Sequence, residues 1–153
     1  MREYNSNQIG QVYNETILDH YKNSSHKIFI DSPDLEFDEF NPVCGDRVFL
    51  QIRLAGGKIL KAGFLGEGCI ITQASASMMI ENLIGKTLDD AESTSFMVKQ
   101  MMSTNHSIKT FSDLGSLVEL QSVKQIPIRI KCAVLAWSAL EQCIDRYRKN
   151  QTY

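Results

Sequence analysis

Apolar positions recur along the chain with two different periods. Ile9, Val12, Tyr13, Ile17 and Tyr21 are spaced as one face of a helix, which predicts an amphipathic helix over about residues 8–22 that ends before Asn23-Ser24-Ser25. Residues 23–34 read as a loop. Leu35, Phe37 and Glu39 alternate with Glu36, Asp38 and Phe40 closely enough for a short edge strand, and Pro42 breaks it. Val48–Leu54 and Ile59–Leu65 then flank Ala55-Gly56-Gly57-Lys58, the pattern of two strands joined by a hairpin turn.

Beyond the hairpin the composition shifts to helix formers. Ile70–Ile84 reads as a helix stopped by Gly85, and Ala74-Ser75-Ala76-Ser77 gives it a narrow surface on which another backbone can approach. A helix from Thr87 to about Met102 follows, with Thr87 as N-cap and Asp89 and Asp90 in the first turn, where the helix dipole favours acids. A polar stretch, Ser103–Thr110, separates it from a short helix near Asp113–Leu120. The last helix opens at Pro127, a residue suited to a first turn, and runs to about Lys149 with bases at its end. Five of the six methionines, Met78, Met79, Met97, Met101 and Met102, fall in these helices as core filler. With no internal repeat, low-complexity tract or linker, the chain reads as a single domain over 1–153.

Length and charge narrow the partners. A chain of 153 residues with 43% apolar content can bury a core. A net charge of -2 supplies no field for gripping phosphate backbones, so nucleic acid is not expected as a partner. The longest apolar run, Ala133–Trp137, cannot span a bilayer, and MREYNSNQ lacks the apolar stretch of a signal peptide, so the expectation is a cytoplasmic protein without a membrane partner. Charge is uneven within the chain. Six acids and no base lie between Asp31 and Asp46, whereas Lys124–Lys149 carries six bases against Glu141 and Asp145. These are solvated faces or surfaces that a protein partner reads by complementarity.

Four cysteines remain: Cys44, Cys69, Cys132 and Cys143. Thiols stay reduced in the cytosol, so the choices are metal ligation, sulfur chemistry or burial. Cys44 and Asp46 precede the first hairpin strand, and Cys69 follows the second behind Gly66-Glu67-Gly68. Antiparallel pairing brings them to the same end of the sheet. Cys69 and Cys132 both sit at helix starts, where free N–H groups and the dipole stabilise a thiolate. Three thiolates and a carboxylate suit tetrahedral zinc. The spacing matches no finger or ribbon, however, so the residues alone leave a shared site and separate burial both open, and Asp46 can equally cap its own loop. Cys143 follows Cys132 by eleven residues, about 16 Å along a helix, which is too far for one metal and assigns it to the core.

Several segments together carry a resemblance. Ile17-Leu18-Asp19-His20-Tyr21-Lys22-Asn23, Asn41-Pro42-Val43-Cys44-Gly45-Asp46, Gly66-Glu67-Gly68-Cys69-Ile70-Ile71 with Ala74–Met79, and Arg129-Ile130-Lys131-Cys132 before Leu135-Ala136-Trp137 resemble the U-type iron-sulfur assembly proteins, the IscU and NifU N-terminal family. The resemblance covers nearly the whole chain. It implies an α+β fold, a small antiparallel sheet of about three strands with helices packed on it, and a metal site of Cys44, Asp46, Cys69 and Cys132 at one end. In the IscU type a His usually precedes the last cysteine, whereas this chain has Lys131. A Lys there, and an extra segment that 103–125 would supply, are features of the SufU type.

That resemblance implies a zinc-dependent sulfur acceptor working with a SufS-type cysteine desulfurase and with downstream components of iron-sulfur assembly. Cys44 would accept the persulfide sulfur, being on a loop beside Gly45, while Asp46, Cys69 and Cys132 keep the zinc. Arg129 would orient Asp46 or a partner group, or else form a surface salt bridge. The acidic 31–46 stretch is a candidate surface for the desulfurase. The alternative is a scaffold that assembles a [2Fe-2S] cluster on the same thiolates, and a third reading is a zinc-stabilised interaction domain. None of His20, His26 and His106 has a motif placing it beside a cysteine, which argues against a Cys/His hydrolase.

Overall fold

The computed structural model describes residues 11–103 and 108–151. Its sheet has three antiparallel strands, β1 (Leu35–Asn41), β2 (Asp46–Ala55) and β3 (Lys58–Glu67), in the order β1-β2-β3. The register sets Phe37 opposite Leu50 and Leu50 opposite Phe64, with a bulge between Arg53 and Leu54 where the hairpin turns. Both hairpins are tight. The second turns through Gly56 and Gly57, both at positive φ, as the glycine pair predicts.

The helices are α1 (Glu15–Lys22), α2 (Ile70–Leu83), α3 (Leu88–Ser103) and α4 (Ile130–Gln151). The α+β class implied by the resemblance is therefore the observed one. Leu35, Val48, Leu50, Ile52, Ile59, Ala62 and Phe64 form the buried face of the sheet. Helix α4 packs on β1 and β2, and α2 on β3. Helix α2 is buried nearly all round, and its small residues are the reason. Ser75 donates to Ala133 O at 2.5 Å and accepts from the indole N–H of the fully buried Trp137 at 3.2 Å, so α2 and α4 meet across a satisfied polar contact.

Three expectations are corrected. Helix α1 begins at Glu15, not near residue 8. The chain is helical at 11 and 12, leaves the helix at Tyr13 and Asn14, and restarts with Asn14 as N-cap, its Oδ1 accepting from Ile17 N at 3.0 Å. Residues 8–10 lie outside the described residues. The last helix begins at Ile130, after a 3-10 turn over Pro127–Arg129.

The third correction is larger. In place of a short α-helix near Asp113–Leu120 there is a run of 3-10 turns over Ile108–Gln125. From 113 onward its buried residues are Leu114, Leu117, Leu120 and Val123, and Ile126 just beyond it continues the strict spacing of three. A 3-10 helix has three residues per turn, so such a stripe stays on one face, whereas an α-helix would carry it off the core. The run packs on α3 and α2 and is tied to the N-terminal segment, where Asn14 Nδ2 donates to Glu119 O and Ser122 Oγ, both at 3.2 Å.

The predicted loop 23–34 has a definite course. Phe64 N donates to His26 O at 3.0 Å along the free edge of β3, and the chain then crosses the outer face of the sheet. It crosses over Gly63, where a Cβ would lie 2.5 Å from Ile28 O. The buried Gln51 holds it from below by accepting from Ile30 N at 2.9 Å. Inner and outer faces of this end of the sheet are thus both covered, leaving the opposite end free for chemistry.

Candidate metal centre

At that free end, β1 and β2 are joined by residues 42–45. Asn41 O accepts from Gly45 N at 2.8 Å, Asn41 Oδ1 accepts from Val43 N at 3.0 Å, and Gly45 takes φ +75, so the chain reverses on itself and projects Cys44 outward. Cys44 is exposed. Asp46 is already the first residue of β2, paired with Asn41, and is buried. The strand register sets Arg47 opposite Glu67, which brings Gly68 and Cys69 alongside Asp46.

Cys69 is the N-cap of α2, in extended conformation with no side-chain cap bond, so its sulfur is free to face the site. Cys132 is the third residue of α4 and is buried. One ligand atom each of Cys44, Asp46 and Cys132 lies within 4.8 Å of the others, and the Cys44 and Cys132 sulfurs are 4.0 Å apart. Two sulfurs at about 2.3 Å from one tetrahedral zinc are separated by roughly 3.8 Å, so the spacing fits. Cys69 joins from the side, 3.5 Å from the Thr72 hydroxyl, which itself donates to Asp46. Of the four residues read from the sequence, the structure brings Cys44, Asp46 and Cys132 to ligand spacing, and Cys69 stands beside them, linked to Asp46 through Thr72.

The electrostatics are those of a thiolate site. Hydrogen bonding with Cys132 and with Thr72 outweighs the cost of burial and brings Cys69 down to about 6. Cys132 is correspondingly pushed up, first by its bond to Cys69 and then by burial. Burial opposes ionisation of Asp46, but hydrogen bonds from Thr72 and the three thiols outweigh it and hold the carboxyl below its usual range. Arg129 Nη1 lies 3.9 Å from Cys132 Sγ, and that contact strengthens its hold on its proton. Arg129 thus points at the cluster and forms no salt bridge among the described residues.

Two participants escaped the sequence reading, Thr72 and Gly68. Thr72 stands three residues past the N-cap, the position from which a side chain reaches back to the start of its helix, so the Cys-x-x-Thr spacing was the available signal. Gly68 leaves room for the carboxylate: a Cβ there would lie 3.0 Å from Asp46 Cγ and 3.2 Å from Thr72 Cβ.

Residues predicted to stand apart do so. Cys143 is buried in the core, where desolvation pushes its thiol up to about 12. His20 is partnered by Ser77 Oγ at 2.9 Å and Glu81 at 3.0 Å, and burial lowers the pKa of His26. His106 lies outside the described residues. Several of the 31–46 acids serve the fold: Asp38 pairs with Arg47, Asp34 accepts from Leu54 N at 2.7 Å, and Glu36 accepts from Gln51 at 3.2 Å. No helix among the described residues is long and apolar enough to cross a membrane.

A three-stranded antiparallel sheet with cysteines and an aspartate at metal-ligand spacing at its open end, between the starts of two helices, defines an α+β class with a candidate thiolate metal site. Residues 12–153 match the NifU-like N terminal domain, and the chain belongs to that family. It is 41% identical over 143 residues to the zinc-dependent sulfurtransferase SufU of Bacillus subtilis, covering 94% of this chain and 95% of that protein. It is 32% identical over 144 residues to the iron-sulfur cluster assembly scaffold protein IscU of Streptococcus pyogenes, covering 94% of this chain and 89% of that one. Among solved structures it resembles FiSufU from Fervidobacterium islandicum AW-1, assigned as an iron-sulfur cluster assembly scaffold protein for the SUF system. That match has a TM-score of 0.80, 34% identity, and covers 87% of this chain and 96% of that one.

Proposed function

We propose that this chain is a zinc-dependent sulfur acceptor of cytoplasmic iron-sulfur cluster biogenesis, taking sulfur from the persulfide of a SufS-type cysteine desulfurase and passing it to downstream assembly components. The observation that carries this is the placing of Cys44, an exposed thiol on a turn, in contact with a buried pair of donors, Asp46 and Cys132. A purely structural site has no need to present one ligand to solvent. The similarity to a protein named as a zinc-dependent sulfurtransferase supports the same reading.

Cys44, Asp46, Cys69 and Cys132 would hold the zinc, and bound zinc would supply a charge that keeps the thiols deprotonated without redox chemistry of its own. The residues divide the remaining work. Asp46, Cys69 and Cys132 are fixed by β2 and by two helix starts, and Thr72 orients the carboxylate and Cys69 together. Cys44 is carried by a four-residue turn and can move. Its thiolate attacks the outer sulfur of the desulfurase persulfide. A new S–S bond forms, the old one breaks, and the electron pair leaves on the desulfurase cysteine, so no external oxidant or reductant enters. Residues 103–125 would be the SufU-type extra segment of a single domain spanning 1–153.

The test is desulfurase turnover, followed as alanine released from cysteine, with the chain added zinc-loaded, zinc-stripped or as Cys44→Ala. Stimulation by the zinc form alone is expected, and no stimulation by any form would sink the proposal. The donor set also suits a [2Fe-2S] cluster, and the similarity to proteins named as scaffolds favours that as the second reading. Anaerobic reconstitution giving a stable cluster, together with failure to stimulate the desulfurase, would select it.

A further inference from the structure

Beside Cys44 lies a cavity of about 400 Å³, lined by Asn41, Val43, Cys44, Pro127, Ile128, Arg129 and Lys131. Its walls come from the two segments that bracket the acceptor thiol, the β1–β2 turn and the start of α4. Val43 and Ile128 are 74% and 72% exposed and form apolar walls, while Arg129 and Lys131 are its two cations. Neither cation forms an ion pair with a carboxylate among the described residues. What distinguishes these two is their place, just before Cys132 in sequence and on the wall of the cavity that Cys44 also lines. A cavity of small-molecule size that opens on a nucleophilic sulfur and carries two cations without carboxylate partners has the chemistry of a site for a small anion with a sulfur end.

We propose that this cavity receives a low-molecular-weight thiol bearing a carboxylate, which removes the sulfur held on Cys44. The inference rests on the acceptor reading above. The carboxylate pairs with Lys131 and Arg129, the carbon chain lies against Val43 and Ile128, and the thiolate is aimed at Cys44. It attacks the outer sulfur of the Cys44 persulfide, a new S–S bond forms, the old one breaks and the electron pair returns to Cys44 as thiolate. The products are a small persulfide and the regenerated acceptor, with no further reactant. The two cations serve a second purpose in the same step. With a divalent ion bound, three thiolates and a carboxylate would carry an excess of two negative charges that would repel an incoming anion, and Lys131 and Arg129 would offset them.

The test loads sulfur without any desulfurase. The exposed Cys44 of the full chain is converted to a mixed disulfide with an aryl thiol and the aryl group is displaced by sulfide, with peptide mass mapping confirming one added sulfur on Cys44 and none on Cys69. Release is then timed with 3-mercaptopropionate, 2-mercaptoethanol and cysteamine at equal thiolate concentration. The carboxylate thiol is expected to be faster than the cationic one by about fivefold or more at low salt and to saturate, and Lys131→Glu is expected to reverse the order. Lys131 is exposed, so the variant keeps the fold. As a second measurement, the ratio of iodoacetate to iodoacetamide alkylation at unloaded Cys44 should fall by a similar factor in Lys131→Glu. Release and alkylation that ignore charge in both proteins would overturn the cavity assignment alone. Failure of Cys44 to hold the added sulfur would overturn the acceptor reading and this inference with it.

Discussion

The Thr72 hydroxyl donates to the Asp46 carboxylate and at the same time lies 3.5 Å from Cys69 Sγ. One side chain on the first turn of α2 thus fixes a carboxylate from β2 and the thiol that caps its own helix. Groups of this kind set the orientation and basicity of metal ligands while contributing no bond to the metal. Thr72→Val keeps the shape and removes the donor, leaving a buried carboxylate one hydrogen bond short. Zinc affinity, read by competition with a coloured chelator, should fall by about 10- to 100-fold, and Thr72→Ser should restore most of it. The metal-free variant should also lose roughly 2 kcal/mol of stability at neutral pH, the usual cost for a hydrogen bond to a charged group.

Two glycines two residues apart separate the needs of the site from those of the sheet. At Gly68 an added Cβ meets Asp46 Cγ at 3.0 Å and Thr72 Cβ at 3.2 Å, so Gly68→Ala displaces site atoms by a few tenths of an ångström. At Gly66, with φ +153, the added Cβ would lie 2.0 Å from the Arg47 carbonyl oxygen in the neighbouring strand. Gly68→Ala should keep a cooperative unfolding transition within about 1 kcal/mol of the parent while weakening zinc binding at least about tenfold. Gly66→Ala should cost more than about 3 kcal/mol, because backbone must move and the residue is forced into a conformation that side chains avoid. Chelator competition and urea titration on the same two variants separate these outcomes.

How much of this was legible beforehand follows from which interactions are local. The β2–β3 hairpin announces itself through alternation and a glycine pair, and α2 and α3 through periodicity, Gly85 and the Thr87 cap, whose Oγ1 accepts from Asp90 N at 3.1 Å. The meeting of Cys44, Asp46 and Cys69 follows from antiparallel topology alone. Cys-x-x-Thr gives a local sign of the Thr72 contact with Cys69, but the action of Thr72 and Gly68 on Asp46 from β2 crosses elements and has no local pattern. The restart of α1 at Asn14 depends on Glu119 and Ser122, more than a hundred residues away. The 3-10 run was legible in principle, since Leu114, Leu117, Leu120, Val123 and Ile126 keep a period of three, but a search tuned to 3.6 and 2 passes over it.

That stripe makes its own prediction. Leu120 is fully buried among the eclipsed side chains of the run, whereas Glu119 faces solvent. Leu120→Ala should cost about 2 to 4 kcal/mol, and Glu119→Ala should stay within roughly 0.5 kcal/mol. An α-helix at the same place would give a different ranking. Leu117 and Val123 would then fall about 60° to either side of Leu120, and the cost of truncation would drop along the stripe instead of staying level. Urea midpoints for alanine variants at Leu117, Leu120 and Val123 decide between the two geometries.

The acid side of the stability profile should be governed by Cys69. Its folded value, about 6, lies below the usual thiol value near 8.5, because hydrogen bonding with Cys132 and then Thr72 stabilises the thiolate in the folded state. A group depressed on folding adds stability that is fully present above its unfolded value and is lost as pH falls through its folded value. The metal-free chain should therefore gain stability as pH rises from about 6 to about 8.5. Cys132 works in the opposite sense, since its pKa is raised, and its share is lost at higher pH as that thiol is forced to ionise. Alkylation of Cys69 by iodoacetamide in the metal-free protein, mapped by mass, should show a midpoint near 6. Cys132→Ala removes that hydrogen bonding and should move the midpoint up toward the ordinary thiol range, and Cys132→Ser should move it less. A midpoint that stays in place in Cys132→Ala would show that the helix start and Thr72, not the second cysteine, hold the thiolate.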